Sequence, residues 1–339
     1  MPTRRALVIG TGVGGLAITH RLLRSDWEVV VLEPEAPARP VGIPTALTDF
    51  GLDAARRLGL LPALVQRRQP RCDLVQVDET GVPLAVRPKP SPRHPVLNED
   101  DVIAALDDTI GDAAPRRREN LPVLIADDCG VTAVAGNGDA DWFDVVVGAD
   151  EACTEVGDAV FPDTSDTRPP SWSTVSRRID VASSCAVSMD LTGRSVRLHP
   201  LRDNNSAVSF AWQDVPGMIH WPQQFADLGA LVPSLLSHVD GIACTAFSRG
   251  WTRGWFHRQI ALLGDPVWNL GPYADHGFSL SIGAAELLGD ALDIFPCGAE
   301  ALSWWERVVR PYVRRAQTRV RGLDERRARR DSPSTRSAN

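Results

Sequence analysis

The chain's 339 residues are 43% hydrophobic and 23% charged, enough for a sizeable core in one large or two interleaved domains. A net charge of -7 and a pI of about 5.5 argue against a general nucleic-acid surface; with no leading apolar segment and no apolar run long enough to span a membrane, a cytoplasmic protein without nucleic-acid or membrane partners is expected. Cys72, Cys129, Cys153, Cys185, Cys244 and Cys297 show neither C-x-x-C spacing nor a cysteine/histidine cluster, so neither a disulfide framework nor a metal site is expected.

The first apolar run, Ala6 to Ile9, reads as a buried parallel strand. It meets a glycine turn, an amphipathic helix from Leu16 to Arg24, and a second apolar run from Val29 to Leu32. Gly10, Gly12 and Gly15 fall at the three glycine positions of G-x-G-x-x-G, whose roles are a tight turn, close backbone approach to a pyrophosphate, and close helix–strand packing. The helix N-terminus directs N–H groups and a positive dipole end at the phosphates. Glu33, ending the second strand, is placed to accept hydrogen bonds from a ribose. Strand, turn, helix, strand and acid together predict a dinucleotide-binding unit.

A proline- and glycine-punctuated loop runs to Pro44, followed by a helical period from Leu47 to Leu64. Residues 74 to 87 read as a hairpin around Glu79, Thr80 and Gly81, and Pro88 to Pro95 as a connector. Asn98 is a plausible N-cap for a helix through Leu106, with acids in its first turn. Short strands are expected at Val123 to Ala126, Val131 to Ala135 and Asp144 to Val147, with a turn at Gly136 to Asp139. From Trp172 to Gln213 the pattern becomes strand-like and polar-alternating, as in an antiparallel sheet with one wet or ligand-facing side. A helical stretch near Ala226 to His238 follows. The parallel-strand style returns after Arg258 with QIALLGD, then a loop to Gly277, a helix to about Leu292 and a final amphipathic helix from Trp304 to Arg321. The fold class is therefore α/β: a Rossmann-like unit interleaved with a mostly antiparallel β-sheet domain, closed by a C-terminal helix.

Three blocks carry a resemblance. They are the GTGVGG turn with Glu33 and the Arg39-Pro40-Val41-Gly42 loop; DVVVGAD at Asp144 to Asp150; and Gly264-Asp265 with Pro272 and Gly277. In this order the chain resembles, over about residues 5 to 320, the FAD-dependent monooxygenases of the para-hydroxybenzoate hydroxylase type, the group A flavoprotein hydroxylases. The resemblance implies an FAD-binding domain of residues 1–73, 97–169 and 257–325 and a substrate domain of residues 74–96 and 170–256; the arginine- and serine-rich composition of residues 326–339 predicts a disordered tail. It implies FAD held by Gly10, Gly12, Gly15, Glu33, Arg39, Asp265, Pro272, Gly277 and Phe278, with NADPH or NADH as transient electron donor. The activity implied is hydroxylation or epoxidation through a flavin C4a-hydroperoxide.

No acid or base is required of the protein in such chemistry, so no catalytic residue is assigned. Ten tryptophans against two tyrosines would suit a ring-lined cavity for an aromatic or polyketide-like substrate; the resemblance implies a medium-sized apolar substrate of specialised metabolism, such as antibiotic biosynthesis. Trp172, Arg177, Phe210, Trp212, His220 and Trp221 are the candidates on the central sheet, ordinary core packing being the alternative for each tryptophan. The chain also departs from the family pattern at Glu99, Glu151, Trp268 and Asp275. These departures keep open a redox-neutral cyclase or isomerase on the same scaffold, with FAD absent or only structural; a non-catalytic ligand-binding protein is the third reading.

Overall fold

The computed structural model describes residues 3–34, 41–149, 152–160, 172–213, 221–229, 231–239, 244–247, 254–268, 270 and 277–330. Strands are numbered through the two large sheets, and helices of nine residues or more through the chain. They are β1 (Arg5–Ile9), α1 (Val13–Leu23), β2 (Glu28–Glu33), α2 (Asp49–Arg57), β3 (Leu74–Val77), β4 (Pro83–Arg87), α3 (Glu99–Ile110), β5 (Arg116–Arg118), β6 (Val145–Ala149) and α4 (Ala152–Val160). Then follow β7 (Trp172–Ile179), β8 (Ala186–Leu191), β9 (Arg194–Pro200), β10 (Ser206–Trp212), β11 (Thr245–Phe247), β12 (Phe256–His257), β13 (Ile260–Leu263), α5 (Gly277–Ile294) and α6 (Gly298–Arg330).

The apolar runs β1, β2, β6 and β13 are buried almost throughout, which requires cover on both faces. They form the parallel centre of a six-stranded sheet in the order β12-β13-β6-β1-β2-β5, with β12 as an antiparallel edge. α1 packs against α3 and α5, and α5 against α2 and α6. The late strand β13 thus joins a sheet begun by β1, across an insert that folds elsewhere.

That insert is a seven-stranded sheet in the order β11-β7-β10-β9-β8-β3-β4, antiparallel except for the β3–β8 pair. The expected hairpin of residues 74 to 87 is its β3–β4 edge, closed by Asp78, whose carboxylate accepts from the backbone N–H of Thr80 and of Val82. Strand alternation gives this sheet two faces. One carries Val175, Met189, Val196, Val208, Phe210 and Trp212 into a core with Phe225, Leu228, Val232 and Leu235. The other carries Gln76, Ser188, Asp190, Arg197 and His199 and lines a cavity.

Local chemistry explains the elements near the site. Asn98 caps α3 by accepting from the Asp101 backbone N–H at 2.7 Å, and three acids fill the first turn, complementing the helix dipole. The turn at Gly136 to Asp139 leads into a strand of its own, Ala140–Phe143, which completes a small sheet with Val131–Val134 and Val123–Ala126 before β6 begins. The helical stretch expected near Ala226 to His238 is a 3-10 turn, Trp221–Phe225, and a short helix, Val232–Ser237. The last helix is longer than its apolar period, running to Arg330 and so past the expected start of the tail.

Candidate functional site

Gly10, Asp265 and Glu33 stand at the C-terminal ends of β1, β13 and β2, in one parallel sheet whose strands run side by side. That edge is where open α/β sheets hold their ligands. Gly10 has φ +113°, and its N–H donates to the Leu32 carbonyl at 2.9 Å. A Cβ on Gly10 would sit 2.3 Å from the Ala149 carbonyl oxygen, and one on Gly15 2.1 Å from the Gly10 carbonyl oxygen. Gly12 is the N-cap of α1, which carries no acid in its first turn. The Glu33 carboxylate lies 3.2 Å from Arg118 Nε and 3.5 Å from Thr11 Oγ1, so it is turned towards the glycine turn. Backbone packed without room for a methyl group, a helix N-terminus without competing carboxylates and a ribose-height acid fit the adenosine diphosphate half of FAD.

The other half of that cradle involves α5. Gly277 and Phe278 open this helix, and the next residue, Ser279, accepts on its Oγ from the Thr48 N–H at 3.1 Å. The segment before Thr48 is held from two more sides. Ser176 of β7 donates to the Val41 carbonyl at 2.6 Å, and a Cβ on Gly42 would lie 3.1 Å from the Glu99 backbone nitrogen. Residues 41 to 48 therefore tie the first turn of α5 to the seven-stranded sheet. Arg39, Pro272 and His220 lie outside the described residues, as do Glu151, Asp275 and the side chain of Asp265.

On the sheet side of that segment is a cavity of about 420 Å³, at the small end of the range for pockets that enclose a drug-sized ligand. Ile43, Pro44, Leu74 and Val96 supply apolar wall. Cys72, Gln76, Ser188, Asp190, Arg197 and His199 supply polar groups. His199 approaches the Pro200 carbonyl with Nδ1 at 3.0 Å and Cys72 Sγ with Nε2 at 3.8 Å. A carbonyl only accepts, so Nδ1 carries the proton and Nε2 presents its lone pair to the thiol. Burial pushes the His199 pKa down and the Cys72 pKa up, which keeps imidazole and thiol neutral.

The aromatic candidates do not line this cavity. Phe210, Trp212 and Trp221 pack with Phe225 on the opposite face of the sheet, Trp212 and Trp221 stacked with centroids 5.0 Å apart and planes 9° apart. Arg177 is exposed and donates to the His238 carbonyl at 3.0 Å, also away from the cavity. Trp172 is buried beside Ala211. For Phe210 and Trp212 strand alternation is the reason: 208, 210 and 212 share one face, which Phe225, Leu228, Val232 and Leu235 cover, whereas Trp172 lies on the other face, with Ala211, outside the cavity lining. Ser188, Cys72 and His199 went unselected in the sequence, although the polar alternation in VSMD and VRLH marks a wet face. Trp268, at a family histidine position, is fully buried against Trp255, and its carbonyl accepts from Gln317 Nε2 at 2.7 Å.

No helix among the described residues is long and apolar enough to cross a membrane. No protein-family model matches the chain. It is 25% identical to the probable 2-heptyl-3-hydroxy-4(1H)-quinolone synthase AqdB2 of Rhodococcus erythropolis, with 94% of this chain and 87% of that protein covered. Among solved structures it superposes on the tetracycline destructase Tet(55) with a TM-score of 0.79 at 21% identity, covering 94% of this chain and 88% of that one. On CtdE in complex with FAD and a substrate the TM-score is 0.81 at 12% identity, covering 96% and 88%. The interleaved sheets, the glycine-turn cradle and the closing helices are the fold of the FAD-dependent group A flavoprotein hydroxylases.

Proposed function

We propose that the protein is an FAD-dependent monooxygenase that hydroxylates or epoxidises a medium-sized, apolar aromatic or polyketide-like natural product, with NADPH or NADH as electron donor. The observation that carries this reading is the join between two sites: residues 41 to 48 wall the cavity and are hydrogen-bonded to the first turn of α5. The Gly10–Gly15 turn and Glu33 would hold the adenosine diphosphate, and Arg39, Asp265, Pro272, Gly277 and Phe278 the flavin half. Bound FAD would supply oxygen activation, which no protein side chain can provide. The protein's own part is to hold the substrate in a cavity lined by Ile43, Pro44, Leu74 and Val96, which limits water at the reacting carbon. The quinolone synthase relative supports an aromatic heterocycle as substrate.

The test is the visible spectrum of purified protein before and after FAD addition and desalting. Retained flavin bands, bleached by NADPH, and NADPH-dependent oxygen uptake with an aromatic substrate are the expected results. The second reading, a redox-neutral cyclase or isomerase, draws on Glu99, whose backbone closes on Gly42 at the edge of the flavin half. Colourless protein that turns over a substrate under strict anaerobiosis would establish that reading instead.

A further inference from the structure

Two polar groups on the cavity wall are left over by the fold. Ser188 is 2% exposed, and its Oγ has no hydrogen-bond partner among the described residues. A buried hydroxyl without a partner is unfavourable. Among the described residues His199 Nε2 meets the Cys72 thiol, at 3.8 Å, and a thiol is a weak donor. A ligand N–H or O–H is a stronger donor for the same lone pair.

The two groups are set for one ligand. Ser188 pairs with Arg197 across β8 and β9, so His199, two residues further along β9, is its diagonal neighbour on the same face, about 7–8 Å away. Both line the same cavity of about 420 Å³, with Leu74 and Val96 in its wall, which has room for a ring system. The charged wall residues favour a neutral ring. Arg197 and Asp190, of opposite charge, both line the cavity, and the third charged lining residue, Arg87, is exposed, where water screens it.

We propose that Ser188 and His199 are the specificity-determining pair of this cavity, selecting an uncharged planar heteroaromatic substrate with an N–H or O–H donor at one ring position and a conjugated carbonyl across the ring. The donor is held by His199 Nε2 and the carbonyl accepts from Ser188 Oγ. Conjugation of donor and carbonyl makes the ring carbon beside the carbonyl electron-rich, which suits transfer of an electrophilic oxygen. This inference rests on the cavity being the substrate site of the proposed monooxygenase.

The experiment is titration calorimetry of the full-length protein, its flavin content recorded, with four probes: 4-hydroxyquinoline in its quinolone form, N-methyl-4-quinolone, 4-methoxyquinoline and quinoline-4-carboxylate. We expect the quinolone to bind about tenfold more tightly than the N-methyl and methoxy probes, the ratio for one lost hydrogen bond to a buried partner. His199→Leu should abolish the preference over N-methyl-4-quinolone, and His199→Gln, which keeps an acceptor, should restore part of it. Ser188→Ala should weaken the quinolone several-fold while leaving that preference intact, a split that a merely structural role would not produce. Equal binding of the quinolone and its N-methyl derivative, tighter binding of the carboxylate, or no binding of any probe overturns the proposal, and these wild-type results stand even where a variant fails to fold. Flavin-free protein that keeps the preference overturns the monooxygenase reading alone, and flavin-loaded protein without the preference overturns the pair alone.

Discussion

A methyl group on Gly15 has no space, because its position lies 2.1 Å from a backbone carbonyl that α1 and β1 hold fixed. Gly15→Ala should therefore destabilise the protein by about 1–3 kcal/mol, as overpacking does, and should also weaken FAD retention. Urea unfolding with and without FAD checks both, and an unchanged midpoint would mean that the turn relaxes freely. Two histidines make a separate prediction about pH. Burial is the largest influence on both His20 and His199 and pushes each pKa below the ordinary value. As pH falls through the unfolded value of about 6.5, the unfolded chain takes up protons that the native state refuses, so stability is lost on acidification. The thermal midpoint should drop between pH about 7 and about 5.5, and His199→Gln should shallow that slope. Asp141, Asp227 and Asp293, held below the usual carboxylate value, lose their contribution only at more acid pH, so the windows separate.

Between elements, α2 lies closely on α5. Gly283 leaves the space filled by the Phe50 ring, which stacks on Tyr312 of α6 at 4.2 Å. Glu286, 3% exposed on α5, is paired through both carboxylate oxygens with Arg57 of α2, and Arg57 is half exposed. Removing the arginine strands a buried carboxylate, so Arg57→Ala should lower stability by about 1–3 kcal/mol. Glu286→Gln should change it less, since the amide oxygen still accepts; equal losses in chemical denaturation would refute this account. At α3, Asn98→Ala should lower stability by about 1 kcal/mol through loss of the cap to Asp101, measurable in the same way. This cap was legible in the sequence, because N-cap chemistry is local to four residues. The strand Ala140–Phe143 was not, because only its pairing with Val131–Val134 separates it from the following β6.

Across the whole molecule, the cradle is built on one sheet and the cavity on the other, and the segment 41–48 belongs to both. Ligand binding to the native state alone should couple the two. Saturating FAD should raise the thermal midpoint by several degrees, about 2.7 kcal/mol at a hundredfold excess over Kd, and the same experiment with adenosine diphosphate should reproduce part of the rise if the Gly10–Gly15 cradle accounts for it. The sequence alone determined the parallel sheet, the glycine turn and the placement of Glu33, because buried runs, tight turns and strand-terminal acids are set by local period and backbone sterics. It also determined that the sheet formed by residues 172–213 has one polar face. It did not determine which face of that sheet the rest of the chain covers. Alternation divides Phe210 and Trp212 from Ser209 and Ala211 but is symmetric with respect to the two faces. Only the tertiary structure breaks that symmetry, by folding 221–239 over the aromatic side and leaving Ser188 and His199 on the side that faces residues 43–48.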